Sequence, residues 1–145
     1  MKRGETVQIC QIYVQKEKKG DVQNMDRVQV LCGIGLHGDC HADGSNRQIS
    51  ILSQRAFLQK QNTTLYPCLQ KVHANLIIDG IENVQVGQYI RFGDTVLRIT
   101  KKGRPCHGIC QASEEQNYCL FVNDLFFAVA QTDGMLSLGM KGEIL

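Results

Sequence analysis

Proline is scarce in this 145-residue chain, with two in all, and no low-complexity stretch interrupts it. Nothing in the composition therefore marks a biased or unfolded tract. Long apolar runs are missing too, and none approaches the length that crosses a bilayer. The N-terminus turns polar at once through Met1-Lys2-Arg3-Gly4-Glu5 and lacks the apolar centre of a secretory signal. The expectation is a soluble, cytoplasmic protein with no membrane partner. Charge of one sign is not in excess either: 16 Lys and Arg face 14 Asp and Glu, for a net +2. A broad nucleic-acid surface needs a strongly basic face, so nucleic acid is not expected as a partner. A small anionic ligand held by a few local cations is compatible with the charge.

The chain is present in the amount one domain needs, and residues 1–145 are read as a single domain. Hydrophobic residues make up 43% of it, enough for an ordinary core. Its seven cysteines are an odd number without a secretory signal, which reads as reduced thiols and not as a disulfide framework. Cys10 and Cys32 sit in apolar alternation and are expected in the core, and Cys68 and Cys119 as packed thiols.

Short strands and glycine turns dominate. Thr6 to Val14 alternates around Val7, Ile9, Gln11 and Tyr13, and Arg27 to Cys32, Gln48 to Leu52, Val72 to Ile78 and Leu125 to Gln131 also read as strands. Val86 to Phe92 and Thr95 to Thr100 are joined by Gly93-Asp94, a hairpin signal. Ser53 is placed to cap a helix running to about Gln61, and Ser113 to cap a second. Val84 to Ile90 echoes Met135 to Lys141: an apolar pair, a glycine, then a returning strand, as in a repeated β corner. The pattern predicts a mostly β fold, a barrel or a folded sheet.

Two segments carry the chemistry. Gly103-Arg104-Pro105-Cys106-His107 directly follows a predicted strand. Pro105 fixes its own φ and keeps Arg104 extended, and the bases Lys101, Lys102, Arg104 and His107 favour a thiolate at Cys106. Four readings of Cys106 stand side by side. It is a catalytic residue, as a nucleophilic or persulfide-carrying cysteine or a thiolate bound to a cofactor metal; a redox partner of Cys110; a zinc ligand with His107 and Cys110; or a buried turn cysteine. The second segment runs from Gly33 to Gly44, four glycines in twelve residues, and packs His37, Asp39, Cys40, His41 and Asp43 together. As a zinc site it is crowded, because His37, Cys40 and His41 can hardly all reach one tetrahedral ion. Its polar side chains also suit capping of their own backbone, and His41 with the loop amides suits contact with an anion. Arg47 is either a clamp for a phosphate or carboxylate or a solvated strand-end residue. Asn75, inside an apolar stretch, either braces the backbone or touches a ligand; His73 reads as structural.

Taken in order, these pieces resemble the MOSC domain, the module named after the C-terminal part of molybdenum-cofactor sulfurases. Gly35-Leu36-His37-Gly38-Asp39-Cys40-His41-Ala42 resembles its Gly-x-x-Gly-Asp-x-His-Ala loop, and Arg47-Gln48-Ile49-Ser50-Ile51-Leu52 its Arg-Gln-Val-Ser-Leu strand. Ala74-Asn75-Leu76 with Asp79-Gly80-Ile81, Val86 to Gly93, Gly103 to His107, and Phe126 to Val129 resemble later segments of the family in the same order. The resemblance implies a compact MOSC-type β-barrel with one to three short helices. It also implies binding or carriage of the molybdenum cofactor (molybdopterin) or of activated sulfur. In that reading Cys106 is the persulfide acceptor or the metal ligand, and Arg47, His41, Asn75, Arg104 and His107 surround the cofactor. The partners implied are a small anionic cofactor or a sulfur-donor protein; pyridoxal phosphate is not expected on the domain itself. Alternative readings are a molybdenum-dependent reductase of N-hydroxylated compounds and a zinc-binding or non-catalytic structural domain. The chain departs from the family at Ala74, which replaces a glutamate. It departs again at Ala128-Val129, where an arginine usually intervenes, and at Leu120 to Asp124, which replaces a Met-Pro-Arg-Glu-Gly stretch.

Overall fold

The computed structural model describes residues 5–18, 20–45, 48–62, 74–103 and 123–145. Eleven strands and one helix lie among them. Seven strands close into a barrel. β1 (Thr6–Gln15) pairs with β11 (Lys141–Ile144), and the ring continues through β7 (Tyr89–Phe92), β8 (Thr95–Lys102), β9 (Leu125–Ala130), β5 (Ile49–Ser53) and β6 (Leu76–Asp79) back to β1. β2 (Val22–Asn24) extends the sheet from the far end of β1. A small second sheet holds β3 (Arg27–Leu31) between β10 (Gly134–Ser137) and β4 (Gly35–Leu36). The expected mostly β barrel is therefore what the chain forms, with one short helix among the described residues.

All neighbours in the ring are antiparallel except β5 and β6. A parallel pair needs a crossover, and helix α1 (Gln54–Asn62) begins directly after β5. Ser53 caps it as expected, with its Oγ accepting a hydrogen bond from the Ala56 amide at 3.1 Å. The same hydroxyl donates to Asp124 Oδ2 at 2.6 Å. Arg55 clamps that carboxylate with both Nε and Nη2, at 2.6 and 3.0 Å. Asp124 is fully buried just before β9, so this cluster ties the helix N-terminus to the start of the neighbouring strand. The Ser113 helix, Cys68, His73, Cys110 and Cys119 lie outside the described residues.

The core fills the barrel with Val, Ile, Leu and Phe side chains from every strand of the ring. β1 shows how. Val7 and Ile9 point inward, and so do Ile12 and Val14. The two pairs have opposite parity, which simple alternation forbids. A bulge at Cys10 resolves it, because the register with β6 shifts between Ile9 and Gln11. The expected alternation through Gln11 and Tyr13 is thus corrected: both turn outward. Cys10, as the extra residue, is only half-buried and not a core thiol. Cys32 is also not in the core. β3 ends at Leu31, and Cys32 opens the next turn, exposed, donating from its amide to Asp133 Oδ1 at 2.7 Å. The strand expected from Val86 starts at Tyr89 instead, because a turn is closed by the Gln88 amide on Gln85 O at 3.0 Å.

That turn is half of the sequence echo. Gly87 and Gly139 both have positive φ, 94° and 77°. Gly87 N donates to Ile99 O and Ile99 N returns to Gln88 O, at 2.8 and 2.9 Å. Gly139 N donates to Ile9 O and Ile9 N returns to Met140 O, at 2.8 and 3.0 Å. Both contacts fall immediately before a bulge, at Cys10 in β1 and at Thr100 in β8. The corner is used twice, and the strands leaving the two corners, β7 and β11, pair with each other.

Asp124→Ala should remove the acceptor of the helix-start cluster and leave the Ser53 hydroxyl buried without it. A loss of about 2 kcal/mol is expected, mainly from the buried hydroxyl, since Arg55 is half-exposed and is solvated in its place, read as a lower urea midpoint with an unchanged slope.

Candidate functional site

The loop between β3 and β5 folds back on itself. Gly35 permits this, since its φ is 133° and a Cβ there would meet Ala42 Cα and Gln48 Cβ at 3.2 Å. Gln48 then bolts the loop to the barrel. Its Nε2 donates to Gly33 O at 3.0 Å and its Oε1 accepts from the Ala130 amide at 3.2 Å.

Asp39 is the centre of this end of the barrel, and its side chain is 0% exposed. Oδ1 accepts from the Gln15 amide at the end of β1 and from Asn75 Nδ2, both at 3.0 Å. Oδ2 accepts from the His41 amide at 3.0 Å. The capping role expected of Gly-Asp-x-His is present, and the same carboxylate also reaches two other elements. Cys40 N donates to Gln15 O at 2.7 Å, so the loop is laced to β1 in both directions.

Asn75 sits just before β6. Its Nδ2 also donates to Tyr13 O at 3.1 Å, while Oδ1 accepts from the Ser50 amide and hydroxyl at 3.0 and 3.1 Å. Two donors and two acceptors use the whole capacity of the amide. Backbone bracing is therefore what Asn75 does here, and a ligand reaching it must displace one of these bonds.

His41 is 53% exposed in its side chain. Its Nδ1 lies 3.4 Å from Cys40 Sγ and 3.5 Å from Asp39 Oδ2. Burial, and then the nearby charge of Asp39, pushes the Cys40 thiol above its ordinary pKa.

The structure thus joins His41 and Asn75 through Asp39, a link that spacing along the chain could not reveal. Ser50 and Gln48 were missed as braces for the same reason, although both fall in the motif around Arg47. Arg47, Arg104, Cys106 and His107 lie outside the described residues. The strand leading to Cys106 is described up to Gly103, whose amide donates to Leu125 O at 2.6 Å. That is the other end of β5 from Asn75, since Ser50 pairs with Phe127 whereas Leu52 pairs with Leu125. Lys102 stands there with Nζ donating to the carbonyls of Glu82 and Val84, at 3.3 and 3.1 Å, and 5.6 Å from the centre of the Phe126 ring.

Asn75→Ala should strip a buried carboxylate and the Ser50 amide of their partner. About 2–4 kcal/mol of stability should be lost, and hydrogen exchange at the Gln15 and His41 amides should accelerate.

Comparison with known proteins places this barrel. No curated protein sequence matches the chain. Among solved structures, the YuaD protein from Bacillus subtilis superposes with a TM-score of 0.69 at 18% identity, covering 99% of this chain and 98% of that one. YiiM from Escherichia coli gives 0.61 at 18% identity, with 99% of this chain and 69% of that one covered. YiiM from Geobacillus stearothermophilus gives 0.60 at 13% identity, with 96% and 75% covered. At such identities these likenesses establish a shared fold. The model of the MOSC domain matches residues 39–133, from the Asp39 hub through the sequence around Cys106 to the end of β9 and just beyond. With more than half of its length so matched, the chain belongs to the MOSC domain family.

Proposed function

We propose that this domain binds the molybdenum cofactor or carries activated sulfur, with Cys106 as the metal ligand or persulfide acceptor. The observation that carries the reading is the family match, which spans the segment from Gly103 to His107. The association of MOSC domains with the molybdenum cofactor is general; the roles given to single residues are this proposal.

The chemistry of the donors suits the group. A thiolate is a soft ligand for a thiophilic centre, and a phosphate-bearing pterin calls for cations and amide donors. The chain leading to the turn is held firmly: Gly103 takes a φ of 81°, and its amide is tied to β9. Lys102 holds a fixed positive charge just before Gly103, and a cation near Cys106 would favour thiolate over thiol. In this reading Arg104 and His107 tune Cys106, Arg47 meets the anionic part of the cofactor, and Asn75, at the other end of β5 from Gly103, acts by holding the loop that bears His41. The cofactor, when bound, supplies the redox chemistry at its metal. In the sulfur-carrying mode, the Cys106 thiolate attacks the terminal sulfur of a donor protein's persulfide. The donor's S–S bond breaks, a new S–S bond forms on Cys106, and the donor leaves as a thiolate.

Mass spectrometry and metal analysis of wild type and Cys106→Ser, side by side, test this. Freshly purified wild type should carry molybdenum with pterin fluorescence, or should gain the mass of one sulfur on Cys106 after incubation with a cysteine desulfurase. Cys106→Ser should show neither. Reduction of an N-hydroxylated base by molybdenum-loaded wild type, absent in Cys106→Ser, would extend the reading to a reductase. Zinc at one per chain, lost in Cys106→Ser, would replace it with a zinc domain. A Cys106 inert to alkylation, with no metal and no added sulfur, would refute it.

A further inference from the structure

We propose that Asp39, Cys40 and His41 form a second, separate site that binds zinc or a similarly thiophilic divalent cation, through Asp39 Oδ2, Cys40 Sγ and His41 Nδ1. This site does not involve Cys106 and does not depend on the reading given to it above.

Geometry is the first support. One donor atom from each of Asp39, Cys40 and His41 lies within 4.8 Å of the other two. Metal–ligand bonds of about 2.0–2.3 Å in a tetrahedral site separate neighbouring donors by about 3.3–3.6 Å. The two edges that meet at His41 Nδ1 are 3.4 Å to Cys40 Sγ and 3.5 Å to Asp39 Oδ2. They already have the length a zinc ion needs. The crowding expected from the sequence involved His37, Cys40 and His41; the folded loop substitutes Asp39 for His37 and so removes it.

Charge is the second support. The Asp39 side chain is fully buried, and the hydrogen bonds it accepts come from Gln15 N, His41 N and Asn75 Nδ2, all neutral donors. Among the described residues its ion-pair partner is His41, half-exposed and charged only when protonated. A buried carboxylate in that position favours a nearby cation. The thiol of Cys40 stands beside it, and a cation would relieve the repulsion between thiolate and carboxylate.

Preorganisation is the third. Asp39 is held by three hydrogen bonds, and the turn is closed by Ala42 N on Asp39 O at 3.1 Å and Cys40 N on Gln15 O at 2.7 Å. Such support is what orients metal ligands elsewhere. One nitrogen, one sulfur and one carboxylate oxygen form a donor set suited to zinc, leaving the fourth position to water. Binding is not a redox step. Cys40 Sγ gives its proton to solvent as the metal–sulfur bond forms, and His41 keeps its own proton on Nε2.

Full-length, metal-free protein titrated with zinc against a chromophoric chelator should take up one equivalent at this site. Cys40→Ala and His41→Ala should each weaken binding by at least about tenfold, whereas Cys106→Ser should leave it unchanged. Iodoacetamide labelling, mapped by peptide mass spectrometry, checks the unmutated protein. Zinc should slow alkylation of Cys40 and leave exposed Cys32 unaffected. Cobalt substitution should give a thiolate-to-metal charge-transfer band that disappears in Cys40→Ala. The proposal is overturned if zinc fails to protect Cys40 in wild type, if Cys106→Ser abolishes the uptake, or if both loop variants bind as wild type does.

Discussion

The hydrogen bond between Asp39 and Asn75 is the contact on which this end of the molecule depends. Each partner is buried, and each holds other elements: Asp39 takes the end of β1 and the turn at His41, and Asn75 takes Tyr13 and Ser50. A buried carboxylate would be costly alone. Here it is solvated by fixed amides, and the loop it belongs to gains a defined shape. The motif Gly-Asp-x-His is thus first an architectural device. Its exposed histidine and half-buried thiol are the parts left over for chemistry.

The barrel treats its two working ends differently. At the Asn75 end, backbone and amide groups dominate, with one carboxylate at the centre. At the Gly103 end, charged side chains dominate: Asp124 with Arg55 and Ser53, and Lys102 on two carbonyls. Both arrangements use polar groups to fix where the chain leaves the rigid sheet. Such placement of loops on a scaffold is how one fold serves many chemistries.

Local features were readable before the fold was known. Gly93-Asp94 announced its hairpin and Ser53 its helix, because the physics of each lies within a few residues. The doubled corner at Gly87 and Gly139 was also visible, since both copies need a positive φ. Tertiary features were not. The bulge at Cys10 exists to keep both halves of β1 facing one core, and nothing within β1 alone demands it. Cys32 continues an apolar alternation, yet the chain turns there to meet Asp133, about a hundred positions away. Of the site, Asp39, His41 and Asn75 were each named from the sequence, but their union was invisible, because it joins the loop after β4 to the residue before β6, which no local pattern brings together.

The seam of that ring lies between Thr6 to Gln8 and Lys141 to Glu143. The first strand therefore waits for the last. During synthesis, an emerging chain would carry the Thr6 to Gln8 edge of β1 open until β11 leaves the ribosome, the most distant strand pairing among the described residues. Contacts of such long sequence separation slow folding and prolong exposure of strand edges. The bulge at Cys10, which interrupts the flatness of β1, then has a second value as a guard against mispairing in the nascent chain.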